Sequence, residues 1–198
     1  MVVADEIYDG LDFTNHQVST ASRSKTVPVF TLNGVSKVYY APGWRIGYMA
    51  LHDPLQRMGI VRDAIERLLR SRLCASTPAQ MGYHSGLVES RDWMKAYSEK
   101  VIAQRDLCLK RISEIDGLEV EAPGGAFYMF VRLTDPKWAA DDKQFVLDLL
   151  DQEHVLVVHG SGFSAEMGQG HFRLVYLANE EVLNEAFDRM DRFLTSSR

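Results

Sequence analysis

Cysteine is nearly absent: Cys74 and Cys108 stand alone among 198 residues. A disulfide framework needs several pairs and a zinc site needs clustered Cys or His at short spacing, so neither has support. Both cysteines lie in helix-like apolar contexts and are expected as reduced, buried thiols. The six histidines make no His-x-x-x-His or other paired-ligand pattern, which argues against a metal site. An excess of positive charge is lacking too. Twenty-two Lys and Arg stand against 27 Asp and Glu, a net charge of −5, which speaks against a nucleic-acid surface as partner. No apolar run approaches membrane-spanning length, so no membrane partner is expected. Asp5, Glu6 and Asp9 lie where a signal peptide would be apolar, and the expected location is the cytoplasm. There is no internal repeat or low-complexity tract. What remains is an ordinary globular composition, 46% hydrophobic and 25% charged. It suffices for one large unit or two modest ones.

The most informative stretch lies between two short apolar runs, Val27 to Leu32 and Ile46 to Leu51. The loop joining them opens on Asn33-Gly34 and nears its end at Pro42-Gly43, both turn signals. It carries one hydroxyl, one amine and one guanidinium: Ser36, Lys37 and Arg45. Glycines 34, 43 and 47 let the backbone turn tightly and approach a ligand. A lysine at the mouth of a sheet, with serine and arginine beside it, suits a phosphorylated carbonyl cofactor. The amine forms a Schiff base and the other two groups bind phosphate. On residues alone, a solvated loop lysine stands beside that reading.

Met1 to Ala4 read as the end of a short buried strand, with Asp5 and Glu6 just past it, where ligands bind in open α/β sheets. Asp5 also reads as a loop acid or a helix cap. Residues 14 to 26 are a Ser- and Thr-rich connection. A helix is expected after Pro54, with Leu55, Met58, Val61, Ile65, Leu68, Leu69 and Leu73 in helical period. Arginines 57, 62, 67, 70 and 72 are spread around it, as on a solvated or subunit-facing side. Ser76-Thr77-Pro78 starts a helix to about Ser90. A longer one runs from Asp92 to Ile115, with Leu87, Trp93, Tyr97, Val101, Leu107 and Ile112 inward.

Beyond Asp116-Gly117 the pattern is that of a compact α+β unit. Strands are expected at Leu118 to Glu121, Ala126 to Leu133, Val155 to Val158 and His171 to Tyr176. Helices are expected at Asp141 to Gln152, with Phe145, Val146, Leu149 and Leu150 inward, and at Glu180 to Leu194. Gly160-Ser161-Gly162 lacks the third glycine of a phosphate-cradling loop and reads as a turn. Arg173, inside an apolar strand, reads by itself as a partly buried salt-bridging residue.

Ser36-Lys37 followed by Pro42-Gly43-Trp44-Arg45-Ile46-Gly47 resembles the pyridoxal-phosphate attachment site of class I/II aminotransferases. Tyr40 departs from that pattern, where a small residue is usual. Val3-Ala4-Asp5-Glu6-Ile7-Tyr8 resembles the segment that precedes the lysine in the same enzymes. The segments Arg72 to Gln80, Gly124 to Phe130 and His171 to Val175 resemble, in order, aminotransferases that use alanine. The likeness spans essentially the whole chain yet covers only the C-terminal half of such an enzyme. An earlier half, with a phosphate loop, a ring-stacking aromatic and an asparagine contacting the ring oxygen, has no match here.

The resemblance implies an α/β architecture, the C-terminal part of a PLP-dependent transferase fold. Residues 1–100 form the end of the large, mostly parallel-sheet domain and residues 101–198 a small α+β domain, with the boundary inside the long helix. It implies Lys37 as the catalytic lysine holding pyridoxal 5'-phosphate, Asp5 on the pyridine nitrogen and Tyr8 on the ring oxygen. Ser36 and Arg45 fall to phosphate, and Arg173 to the substrate α-carboxylate, which a planar guanidinium grips by both oxygens. The implied reaction moves an amino group between an amino acid, expected to be alanine, and a 2-oxo acid, expected to be 2-oxoglutarate. A homodimer or association with the missing N-terminal half is expected, and with it an exposed sheet edge. Another chemistry on the same cofactor, such as a C–S lyase, and a non-catalytic binding or assembly module are the alternatives.

Overall fold

The computed structural model describes residues 1–14, 16–90 and 92–196. The chain divides into two compact units, Met1–Lys95 and Ala96–Arg198.

The first unit holds a three-stranded sheet. Strand β1 (Val2–Asp5) runs parallel to β2 (Val29–Gly34), which pairs antiparallel with β3 (Gly47–His52), in the order β1-β2-β3. Central β2 buries Val29, Phe30 and Thr31, as its apolar run predicts. Strand β1 exists but is not the buried strand expected: Val2 and Val3 are exposed, because β1 is an edge of its sheet. Within the polar connection lies a single helical turn, α1 (Thr20–Arg23). Its amide at Thr20 and the Ser19 hydroxyl both donate to Glu6 Oε1, so an acid at the end of β1 serves as cap.

Helix α2 (Gly59–Arg70) is shorter than the expected Leu55 to Leu73. The Asp53 carboxylate accepts the amides of Arg57 and Met58 and holds the entry outside the helix. Gln56 and Leu73, near its two ends, have left-handed backbone that an α-helix does not admit. No residue of α2 is buried; Ile60, Leu68 and Leu69 are all exposed. Cys74, expected in a core, is exposed as well, since it falls in the irregular segment between helices. Helix α3 (Thr77–Val88) has its proline in the first turn and buries Tyr83.

Helix α4 (Trp93–Ser113) contains the unit boundary. Its buried residues are Tyr97, Val101, Gln104, Cys108 and Ile112, spaced by three and four as one helix face requires. Leu107 is off that face and only half-buried, and Leu87 and Trp93 are exposed, contrary to expectation. Burial pushes the Cys108 thiol up to about 12.

The second unit is a four-stranded antiparallel sheet. Its strands are β4 (Leu118–Val120), β5 (Tyr128–Leu133), β6 (Val158–His159) and β7 (His171–Val175), in the order β4-β5-β7-β6. Alternation on β5 and β7 sends Met129, Val131, Leu133, Phe172 and Leu174 into the core. There Phe145 stacks on Phe172 with ring centroids 5.3 Å apart and meets Trp138 edge-on at 5.7 Å. Trp138 belongs to α5 (Pro136–Ala140), a short helix the sequence reading missed. Asp135 caps it through the Lys137 amide, and Asp141 caps α6 (Asp142–Glu153) through the Gln144 amide. Leu150 on α6 is exposed rather than inward. Helix α7 (Glu180–Ser196) closes the unit and buries Leu183, Phe187, Met190, Phe193 and Leu194. Among the described residues no helix is long and apolar enough to cross a membrane.

Candidate active site

Because β1 and β2 are parallel, their C-terminal ends emerge on the same side of the sheet. Asp5 ends β1, opposite Leu32, and β2 ends at Gly34, two residues before Ser36-Lys37. Topology alone therefore gathers Asp5, Tyr8, Ser36 and Lys37 at one sheet end, the ligand side of an open α/β sheet. The Lys37 ammonium lies 5.9 Å from the centre of the Tyr8 ring, within cation–π range. Both side chains and Ser36 are half-buried.

The loop that presents Lys37 is built on close backbone packing. A Cβ at Gly47 would sit 2.6 Å from the Asn33 carbonyl oxygen, and one at Gly34 2.8 Å from that of Ile46. Val35 donates to the Ile46 carbonyl at 3.3 Å and Ala41 to the Val35 carbonyl at 3.2 Å, closing the loop on itself. Underneath, Val35, Ile46 and Tyr83 form a small core with Tyr39, Ala41 and Ala79 packed against it. The Tyr39 hydroxyl donates to the Gly86 carbonyl at 3.0 Å and so ties the residue two after Lys37 to α3.

Two non-glycine residues of this loop are left-handed, Tyr40 at φ 50° and Arg45 at φ 53°. Each such residue costs on the order of 1 kcal/mol, held in place here by the closed loop. The bulk of Tyr40, the departure noted in the sequence, is accommodated because its side chain is half in solvent. Arg45 is exposed, and its Nη1 donates to the Pro42 carbonyl at 2.7 Å across the 3₁₀ turn Pro42–Trp44.

Asp5, the last residue of β1, is exposed, and its Oδ1 accepts the Ile7 amide at 3.3 Å. The cause is the edge position of β1, which has no strand on its outer side among the described residues.

Arg173 belongs to the second unit. On β7 it lies opposite Phe130 of β5 and Val158 of β6. Its guanidinium carbon sits 4.5 Å from the centre of the Tyr128 ring and 4.4 Å from that of Phe163. Its Nε is buried without a hydrogen-bond partner, and the guanidinium makes no ion pair among the described residues. The salt bridge that the bare sequence suggested for it is not there. A partly buried cation lacking an anion is costly, and ring faces offset only a part of that. The site is short of an anion. Sequence reasoning missed both rings. Tyr128 had a faint signal, two residues before the strand partner of Arg173; Phe163 comes from a loop and had none.

The family model described as aminotransferase class I and II matches residues 1–190. An alanine aminotransferase of Mycobacterium tuberculosis is 36% identical over 204 residues, covering 100% of this chain and 47% of the relative. A glutamate-pyruvate aminotransferase, AlaA, of Escherichia coli K12 is 32% identical, covering 98% of this chain and 49% of the relative. Among solved structures, alanine aminotransferase from Pyrococcus furiosus superimposes with a TM-score of 0.94 at 47% identity, over 98% of this chain and 49% of that one. The chain thus spans about half the length of the relatives it matches. It belongs to the class I and II aminotransferase family.

Proposed function

We propose that this chain is the lysine-bearing C-terminal portion of an aminotransferase that moves an amino group between alanine and 2-oxoglutarate with pyridoxal 5'-phosphate. The carrying observation is the Lys37 amine beside the Tyr8 ring, on a closed loop at the shared C-terminal ends of two parallel strands. The names of the relatives favour alanine as the amino acid.

The donors fit that cofactor in kind: an amine for its aldehyde carbon, a carboxylate for its pyridine nitrogen, a phenol for its ring oxygen. A hydroxyl and a guanidinium remain for its phosphate. Bound there, the cofactor supplies an electron-withdrawing ring that stabilises negative charge at the substrate α-carbon. With the cofactor bound, Lys37 would hold its aldehyde carbon, and the Lys37 amine would be the base that moves the substrate α-proton. Asp5 keeps the pyridine nitrogen protonated, and the Tyr8 hydroxyl donates to the ring oxygen. Ser36 and Arg45 hold phosphate, for which Arg45 exchanges its bond to the Pro42 carbonyl. Arg173 grips the substrate carboxylate. A homodimer, or association with a further segment, is expected to supply the remaining contacts to cofactor and substrate. Activity of the isolated chain is expected to be weak, since catalytic geometry demands tight support.

Covalent trapping tests this reading. The chain is mixed with pyridoxal phosphate, reduced with borohydride, digested and mapped by mass spectrometry. The adduct is expected on Lys37 and absent from Lys37→Ala. Equal labelling of surface lysines, unchanged in the variant, would overturn the assignment.

A further inference from the structure

We propose that Tyr128 and Phe163 are positioning residues that fix the plane of the Arg173 guanidinium, so that a carboxylate meets it edge-on. This rests on the reading of Arg173 as the carboxylate-binding residue. All five N–H bonds of a guanidinium lie in its plane. With one ring centre 4.5 Å and another 4.4 Å from its central carbon, two aromatic rings pack against the guanidinium, and rings stacked on it leave the in-plane N–H bonds as the approach for an anion. The buried, unpartnered Nε shows that no protein acceptor has taken up that donor.

Hydrophobic burial does not explain Phe163, which is 52% exposed. The loop holds it instead. The Phe163 amide donates to the Gly160 carbonyl at 2.8 Å. The Ser161 amide donates at 2.7 Å to Oδ2 of Asp142, a carboxylate 3% exposed at the start of α6. Gly160 lies so close to Gly168 that a Cβ on it would come 2.2 Å from the Gly168 carbonyl oxygen. Phe163 and Phe130, the strand partner of Arg173, form a T-shaped pair with centroids 6.2 Å apart. Tyr128 needs no such device, since β5 supplies it. An arginine without ion pairs is thereby denied the rotation that would otherwise be lost on binding. Ordering one long side chain costs up to about tenfold in affinity.

The test uses the full chain, its arginine Nε–Hε resonances followed by NMR, and pyruvate as the probe. In the wild type, the Arg173 signal is expected to be ring-current-shifted, slow to exchange and responsive to pyruvate. Phe163→Leu is expected to keep the melting temperature, lose the ring-current shift and weaken pyruvate binding about tenfold. Phe163→Tyr is expected to restore both. Tyr128→Leu reads the other ring independently. Wild-type pyruvate affinity in both leucine variants, with binding lost in Arg173→Lys, overturns the clamp and leaves the carboxylate reading intact. Undiminished binding in Arg173→Lys instead overturns the carboxylate reading itself.

Discussion

Two thiols illustrate how little a local apolar neighbourhood says about burial. Cys74 and Cys108 sit among similar residues, yet Cys74 is exposed and Cys108 is 0% exposed. The difference is phase: Cys108 falls on the α4 face that also carries Val101 and Ile112, whereas Cys74 follows the end of a helix that buries nothing. Thiolate is the reactive form, and burial holds the Cys108 thiol protonated, up to about 12. A thiol reagent at pH 8 is therefore expected to modify one equivalent rapidly, at Cys74, and the second only on unfolding. Peptide mapping after timed quenching checks this; rapid labelling of Cys108 in the native state would contradict its placement.

At the scale of elements, the Lys37 loop was the most legible part because its signals are local. Asn-Gly and Pro-Gly mark its turns, and the flanking apolar runs are the paired strands β2 and β3. Its glycines are not equivalent, though, and the sequence does not rank them. A Cβ at Gly47 would press on the Asn33 carbonyl at 2.6 Å, whereas one at Gly43 would meet nothing within 4 Å. Gly47→Ala is accordingly expected to lower stability by about 1–3 kcal/mol, and Gly43→Ala to be neutral or slightly stabilising. Urea midpoints of the first unit decide it, and equal midpoints would show that the strands separate without cost.

Other elements were legible in kind but not in extent. The helical period of Leu55 to Leu73 is real, yet Asp53 gathers the amides of Arg57 and Met58 and delays the helix start to Gly59. The short α5 was hidden because five residues give no periodicity, although Asp135-Pro136 is a cap followed by a first-turn proline. The rings around Arg173 were beyond sequence reasoning for a different cause. They reach it across a strand pair and from a loop some ten residues away, and neither route leaves a spacing rule to read.

For the whole molecule, the uneven core decides behaviour. Among the described residues seven buried apolar side chains lie in residues 1–95 and twenty-four in residues 96–196. Buried apolar area is the main favourable term in folding, and the cost in chain entropy scales with length, which is nearly equal for the two units. The first unit also exposes Ile60, Leu68, Leu73 and Met81, each more than two-thirds accessible. It is therefore expected to open at lower denaturant than the second, with two transitions rather than one. Hydrogen exchange gives the direct measurement. Amides of β2 and β3 are expected to exchange through a smaller opening free energy than those of β5 and β7, and a hydrophobic dye is expected to bind in the first transition. Matching protection in both sheets of the chain alone would instead mean that seven buried side chains and the closed Lys37 loop suffice.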